Sequence, residues 1–165
     1  HNSYFYSNAY LAWKLYRYKP YVNKFSRKDL SLSKRGFLFS FSQQQAVDLL
    51  EILKNTIEDY DGIRERLLPK SRNEGWGKTD ITCANGARLT TKGFGSSVRG
   101  AHPGYIMVDD GLKDNVIYSK TQRQKSIEYF HAVIMNMIVP GGQVGVVGTP
   151  FHANDLYGDL KSKNK

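Results

Sequence analysis

Cysteine is nearly absent: Cys83 is the one thiol among 165 residues. A lone cysteine cannot close an internal disulfide or build a thiolate zinc site, which fits a reducing compartment. Long apolar runs are missing too. The longest, residues 134–140, is interrupted by Asn136 and falls far short of the ~20 residues that a bilayer span requires. No basic-then-apolar leader opens the sequence, so a soluble protein that is not secreted is expected. Acidic residues are the third shortage, 15 Asp and Glu against 24 Lys and Arg, for a formal net charge of +9. That imbalance favours an anionic partner, nucleic acid or nucleotide phosphate ahead of a membrane surface, because no basic amphipathic helix dominates. The chain also lacks an initiator Met. It opens on His1 and stops at Lys165 soon after a helix is expected to begin, as a fragment would.

What is present suits one globular domain. Hydrophobic residues make up 40% and charged residues 24%, which supplies a core and excludes disorder for the bulk of the chain. Between residues 4 and 18, Phe5, Ala9, Ala12, Trp13 and Tyr16 recur at helical spacing until Pro20, predicting a helix whose aromatics mostly pack. Residues 19–35 carry Lys19, Lys24, Arg27, Lys28, Lys34 and Arg35 against Asp29 alone. They read either as a solvated basic loop or as a DNA-contacting patch. Residues 36–41 read as a buried strand, followed at once by a capping box over Ser42 to Gln45 and a helix to Tyr60 with Ala46, Leu49, Leu50, Leu53 and Ile57 on one face. Strand followed by helix is an α/β signature.

Further on, two β-type runs, 79–84 and 87–92, flank Asn85-Gly86, a hairpin signal. Residues 105–108 predict a buried strand, Ile127, Phe130, Ile134 and Met137 a long helix, and 144–147 another buried strand. Asn154 is a candidate cap for a last helix. There is no internal repeat and no low-complexity tract.

The most informative segment is Tyr105-Ile106-Met107-Val108-Asp109-Asp110, an apolar strand ending in two carboxylates. Adjacent like charges call for a shared cation or proton. The same pattern also fits two acids that merely open a turn before Gly111. Gly93-Phe94-Gly95-Ser96-Ser97-Val98-Arg99-Gly100 precedes it, and Gly148-Thr149-Pro150-Phe151-His152-Ala153-Asn154-Asp155-Leu156 follows a later strand. Arg99 equally fits a surface arginine pairing with a carboxylate, and Thr149 a turn residue before proline. His102 and His152 lack metal-ligand spacing and read as packing or loop residues, and Cys83 as a small buried apolar residue.

Together these segments resemble the ATPase domain of the large terminase subunit of tailed bacteriophages, the motor that drives viral DNA into a preformed capsid. The likeness covers nearly the whole chain, with 19–35 and 61–75 matching least. It implies an α/β, three-layer P-loop NTPase of the additional-strand type, with a mostly parallel central sheet and a β-hairpin before the Walker B strand. In that family Asp109 corresponds to the Walker B acid that positions Mg²⁺, and Asp110 to the catalytic carboxylate, where many members have Glu. Arg99 corresponds to an arginine finger that serves a neighbouring subunit. Thr149 corresponds to the coupling motif that senses the γ-phosphate. ATP and Mg²⁺ are the implied cofactors. Double-stranded viral DNA, a portal protein, a small terminase subunit and a homo-oligomeric ring are the implied partners, in the host cell cytoplasm and with no membrane. A separate nuclease domain is also implied and is not in the chain.

A P-loop needs G-x-x-x-x-G-K-[ST]. By position Ser3 aligns with the Mg²⁺-binding hydroxyl and Asn2 falls where the Lys belongs, while the glycine-rich loop and the central strand before it are missing. The chain is therefore expected to be cut inside this motif and, as written, to bind ATP poorly. Two other functions fit parts of the sequence. One is a metal-dependent nuclease using Asp109, Asp110, Asp114 and Asp155. The other is a non-catalytic DNA-binding P-loop remnant using the basic stretch 14–35.

Overall fold

The computed structural model describes residues 3–20, 34–73, 75–98 and 100–163. Its centre is made by two short apolar runs. Strand β1 (Arg35–Ser40) is buried in all but its first residue, and β4 (Tyr105–Asp109) is buried throughout. Strands with no solvent face belong inside a parallel sheet covered on both sides. They lie side by side in a five-stranded sheet, with β2 (Asp80–Thr82), β3 (Arg88–Gly93) and β5 (Gln143–Val147) completing the order β2-β3-β1-β4-β5. Every pairing is parallel except that of β2 with β3. The close fit of β1 on β4 depends on Gly36, where an added Cβ would fall 2.1 Å from the Tyr105 ring.

Alternation along these strands divides the apolar residues between two cores. Leu38, Leu89, Tyr105 and Met107 face helices α1 (Ser3–Arg17), α2 (Gln43–Asp59) and α3 (Asp61–Leu67), which supply Leu11, Leu15, Leu50, Leu53, Ile57 and Leu67. Phe37, Phe39, Ile106 and Val108 face Phe130, Ile134, Met137, Leu156 and Tyr157 on the other side. That layer is α4 (Lys120–Tyr129), continuing through a π turn (Phe130–Ile134) and a last α-helical turn (Met135–Met137), together with α5 (Leu156–Lys163). The α/β class and the mostly parallel sheet agree with the sequence reading. None of the helices is long and apolar enough to cross a membrane, among the described residues.

Local signals act as their chemistry dictates. Ser42 caps α2, its side chain accepting from the Gln45 N–H at 3.1 Å. The Asn85-Gly86 hairpin forms, with the Gly86 N–H donating to the Cys83 carbonyl and Gly86 at φ 91°. Gly86, and not Asn85, takes the left-handed conformation, so the connection is a turn followed by a bulged glycine. The Asn85 amide instead donates to the carbonyls of Leu15 and Tyr18, and Arg66 donates to those of Tyr16 and Tyr18. These bonds satisfy the open end of α1 and fix it at the amino edge of β3.

The segment 61–75, to which the sequence reading assigned no element, contains α3, and one expectation changes. The last helix is capped by Asp155 and not by Asn154: the Asp155 carboxylate accepts from the N–H of Gly158, and also from those of Phe151 and His152. Residues 21–33 of the basic stretch lie outside the described residues, so neither reading of it is decided.

Candidate active site

The carboxyl edge of a parallel sheet, where adjacent strands send their connections to opposite faces, is the usual place for a ligand crevice. β1 and β4 form such a pair here. The chain leaves β1 through α2 onto one face, and leaves β4 toward α4 on the other. Asp109 and Asp110 stand at this point.

Asp109 is the last residue of β4, paired with Val147 of β5, and only 1% exposed. Asp110 follows with φ 44°, the one left-handed non-glycine residue among those described. Aspartate tolerates this conformation better than most residues, because its short side chain can bond locally. The backbone of Asp110 is held from both sides: its N–H donates to the Val147 carbonyl at 2.9 Å, and its carbonyl accepts from Phe41 N–H at 3.0 Å. The ends of β1, β4 and β5 are thereby joined through a single residue. A non-glycine residue kept in a sparsely populated conformation by its neighbours is a recurrent mark of functional sites.

Tyr157, which the sequence reading did not single out, reaches into this edge from α5. Its hydroxyl accepts from the Gly111 N–H at 3.1 Å, and the residue is 6% exposed. Burial pushes the phenol well above its ordinary range, and the nearby charges of Asp110, Asp109 and Asp155 raise it further against the opposing Gly111 bond. The ring lies over Gly148, where an added Cβ would fall 2.0 Å from the Tyr157 oxygen. The visible signal was Gly148 itself, a missing side chain at the mouth of an apolar strand.

The other predicted site residues divide. Thr149 is exposed just beyond β5, at the same edge as the acid pair. Ser3 is the first residue of α1. That helix has its last turns at the amino edge, where Lys14 reaches Gln143 at 2.5 Å and Asn85 holds Leu15, so it begins toward the carboxyl edge. Asn2 and Arg99 lie outside the described residues. His102 is exposed, and His152 is a loop residue whose Nδ1 accepts from the Asn154 N–H. Cys83 is buried.

The four-acid nuclease cluster does not assemble. Among the described residues no three His, Cys, Asp or Glu side chains meet as a metal-holding group. Asp155, fully buried, spends both oxygens on backbone N–H groups of its own loop and helix. One Mg²⁺ asks for less, since that ion is commonly held by one or two carboxylates, with water and phosphate oxygens supplying the rest. The buried Asp109 with Asp110 beside it fits that donor set. No protein-family model and no curated protein matches the chain.

Proposed function

We propose that this chain is the greater part of a nucleotide-hydrolysing motor domain, an ATPase of the phage terminase type that couples Mg·ATP hydrolysis to movement of double-stranded DNA into a procapsid. The observation that carries the reading is the acid pair: a fully buried apolar strand delivers Asp109 and Asp110 to the carboxyl edge, with Asp110 pinned between the ends of two neighbouring strands. On this reading Asp109 holds Mg²⁺ together with the Ser3 hydroxyl, and Asp110 orients the attacking water and accepts its proton. The metal, when bound, neutralises charge on the phosphate oxygens. Thr149 senses the γ-phosphate, and Tyr157 fixes the end of β5 against Gly111, so that a change at Thr149 reaches α5.

The free edge of β5 supports the same reading. Among the described residues nothing pairs with its outer side, and a cavity of about 770 Å³ lined by Val144, Val146, Gly148 and Phe130 runs along it. Edges of parallel sheets are normally covered. A strand carrying the phosphate-binding loop and leading into α1 would fill this position, giving the additional-strand type of P-loop fold. Arg99 is assigned to a neighbour's site in a homo-oligomeric ring, with the portal protein and small terminase subunit as further partners and the host cytoplasm as the setting.

The test uses a chain extended upstream of His1 to complete the phosphate loop. Asp109→Asn should abolish Mg²⁺-dependent ATP turnover, and Arg99→Ala should do the same. Mixing the two inactive proteins should restore part of the activity, because one of the two orders in which they can neighbour each other pairs an intact Asp109 with an intact Arg99. Full turnover by Asp109→Asn would overturn the assignment, and a mixture that stays inactive would refute the action of Arg99 across subunits.

A further inference from the structure

A buried hydroxyl without a hydrogen-bond partner is uncommon, and a catalytic role or a bound water or ion is among the usual reasons for one. Ser40, the last residue of β1, is fully buried, and its hydroxyl has no partner among the described residues. Its neighbours suggest the reason. On one side Ser40 pairs with Gly93 of β3, which has no side chain, and the nearby Gln43 side chain is already bonded to Gly93 and Thr91. On the other side Ser40 and Asp109 each stand one residue past Phe39 and Val108, the last registered pair of β1 with β4. Leu38 and Met107, two residues before them, lie in the core beneath α1, α2 and α3, so alternation turns Ser40 and Asp109 to that same face. Neighbouring strands lie about 4.8 Å apart, a separation that one water can bridge between two oxygens.

Helix α1 reaches the same height. Ser7 packs beside Leu38. One helical turn from Ser7 back to Ser3 covers ~6 Å, and two strand residues from Leu38 to Ser40 cover ~6.6 Å, so α1 begins about level with Ser40 and Asp109. Ser7 itself provides a contrast. It is 2% exposed and its hydroxyl also has no partner among the described residues, but it sits among Leu11, Leu38, Leu49 and Ile52, one step below the acid. Carboxylates that hold a cation are commonly oriented by hydrogen-bonding neighbours, whose loss weakens metal binding by about 10- to 100-fold. Mg²⁺ in particular keeps several of its waters when bound, which makes a hydroxyl beside its carboxylate ligand a natural partner for one of them.

We propose that Ser40 is a positioning residue of the Asp109 cation site, its hydroxyl hydrogen-bonding a water that the hydrated cation shares with the Asp109 carboxylate. The inference rests on the motor reading, which supplies the cation, and adds to it a group from β1. The experiment is electron paramagnetic resonance of Mn²⁺, titrated in the presence of ADP into the chain extended to complete its phosphate loop, so that metal binding is read without turnover. Ser40→Ala is expected to weaken Mn²⁺ binding by about tenfold. Its melting temperature in metal-free buffer should not fall, because the substitution removes a buried hydroxyl that has no partner there. Ser7→Ala removes an equally buried hydroxyl away from the acid and should leave Mn²⁺ binding within about twofold of the unaltered chain. Asp109→Asn separates the inference from the reading beneath it. Failure of the unaltered extended chain to bind Mn²⁺, or undiminished binding in Asp109→Asn, would overturn the motor reading and the role of Ser40 with it. Loss of binding in Asp109→Asn with wild-type affinity in Ser40→Ala would overturn the role of Ser40 alone. So would an equal loss in Ser7→Ala, or a lowered melting temperature in Ser40→Ala with Mn²⁺ affinity unchanged, either of which assigns the hydroxyl to the fold.

Discussion

At the scale of single residues, Asp110 is the position where conformation and charge can be separated. Its left-handed backbone favours Gly, Asn and Asp, so Asp110→Gly should leave stability unchanged or raise it by up to about 1 kcal/mol, whereas Asp110→Val should lower it by more than about 1 kcal/mol. Urea unfolding of both variants measures this directly. Asp155 is a structural carboxylate. Asp155→Ala leaves three backbone N–H groups without their acceptor, and a loss of about 2 kcal/mol or more is expected in the same assay. The role of Asp155 was not visible in the sequence, because a capping acid and a metal-binding acid look alike until the backbone around them is known.

Cys83 gives a residue-scale prediction with a definite sign. Burial pushes its thiol from an ordinary value near 9 up to about 12. The folded protein therefore keeps the proton while the unfolded chain loses it. The stability this provides is complete below about pH 9 and is lost as pH rises through 9 toward 12. Cys83→Ala should flatten the fall in melting temperature between pH 9 and 10, leaving the steeper loss above pH 10 to buried tyrosines such as Tyr105. Unchanged alkaline behaviour in Cys83→Ala would refute a buried thiol.

At the scale of elements, strands and caps were readable because each carries a dense local signal. Phe37-Leu38-Phe39 and Tyr105–Asp109 are nearly unbroken apolar runs, and Ser42 stands three residues before Gln45. The contacts between elements were not readable. Nothing local announces that Tyr157 will lie over Gly148, or that Asn85 will hold the end of α1 some 70 residues earlier. Helix α3 was missed for a related reason: in its seven residues only Leu67 is buried, too little for a periodic pattern to show. The Tyr157–Gly148 contact makes its own prediction. Gly148→Ala forces the ring away from β5, and a cost of about 1–3 kcal/mol in unfolding free energy is expected. In Tyr157→Phe the hydroxyl is gone but the ring still fits, so the cost reduces to an unpaired Gly111 N–H, again about 1–3 kcal/mol. If the two effects are coupled through this contact, the double variant should cost less than the sum.

At the scale of the molecule, the two cores hold a sheet whose amino edge is tied to the end of α1 and whose carboxyl edge presents Asp109 and Asp110. The acid pair, Thr149 and Tyr157 all lie at that edge. The most direct test of the motor reading is Asp110→Asn in the chain extended to complete its phosphate loop, because asparagine accepts the left-handed backbone while losing the negative charge. Mg²⁺-dependent ATP turnover should fall by about 10² or more at an unchanged melting temperature, as expected for loss of a general base. Turnover within a few-fold of wild type would contradict a hydrolytic role for the acid pair.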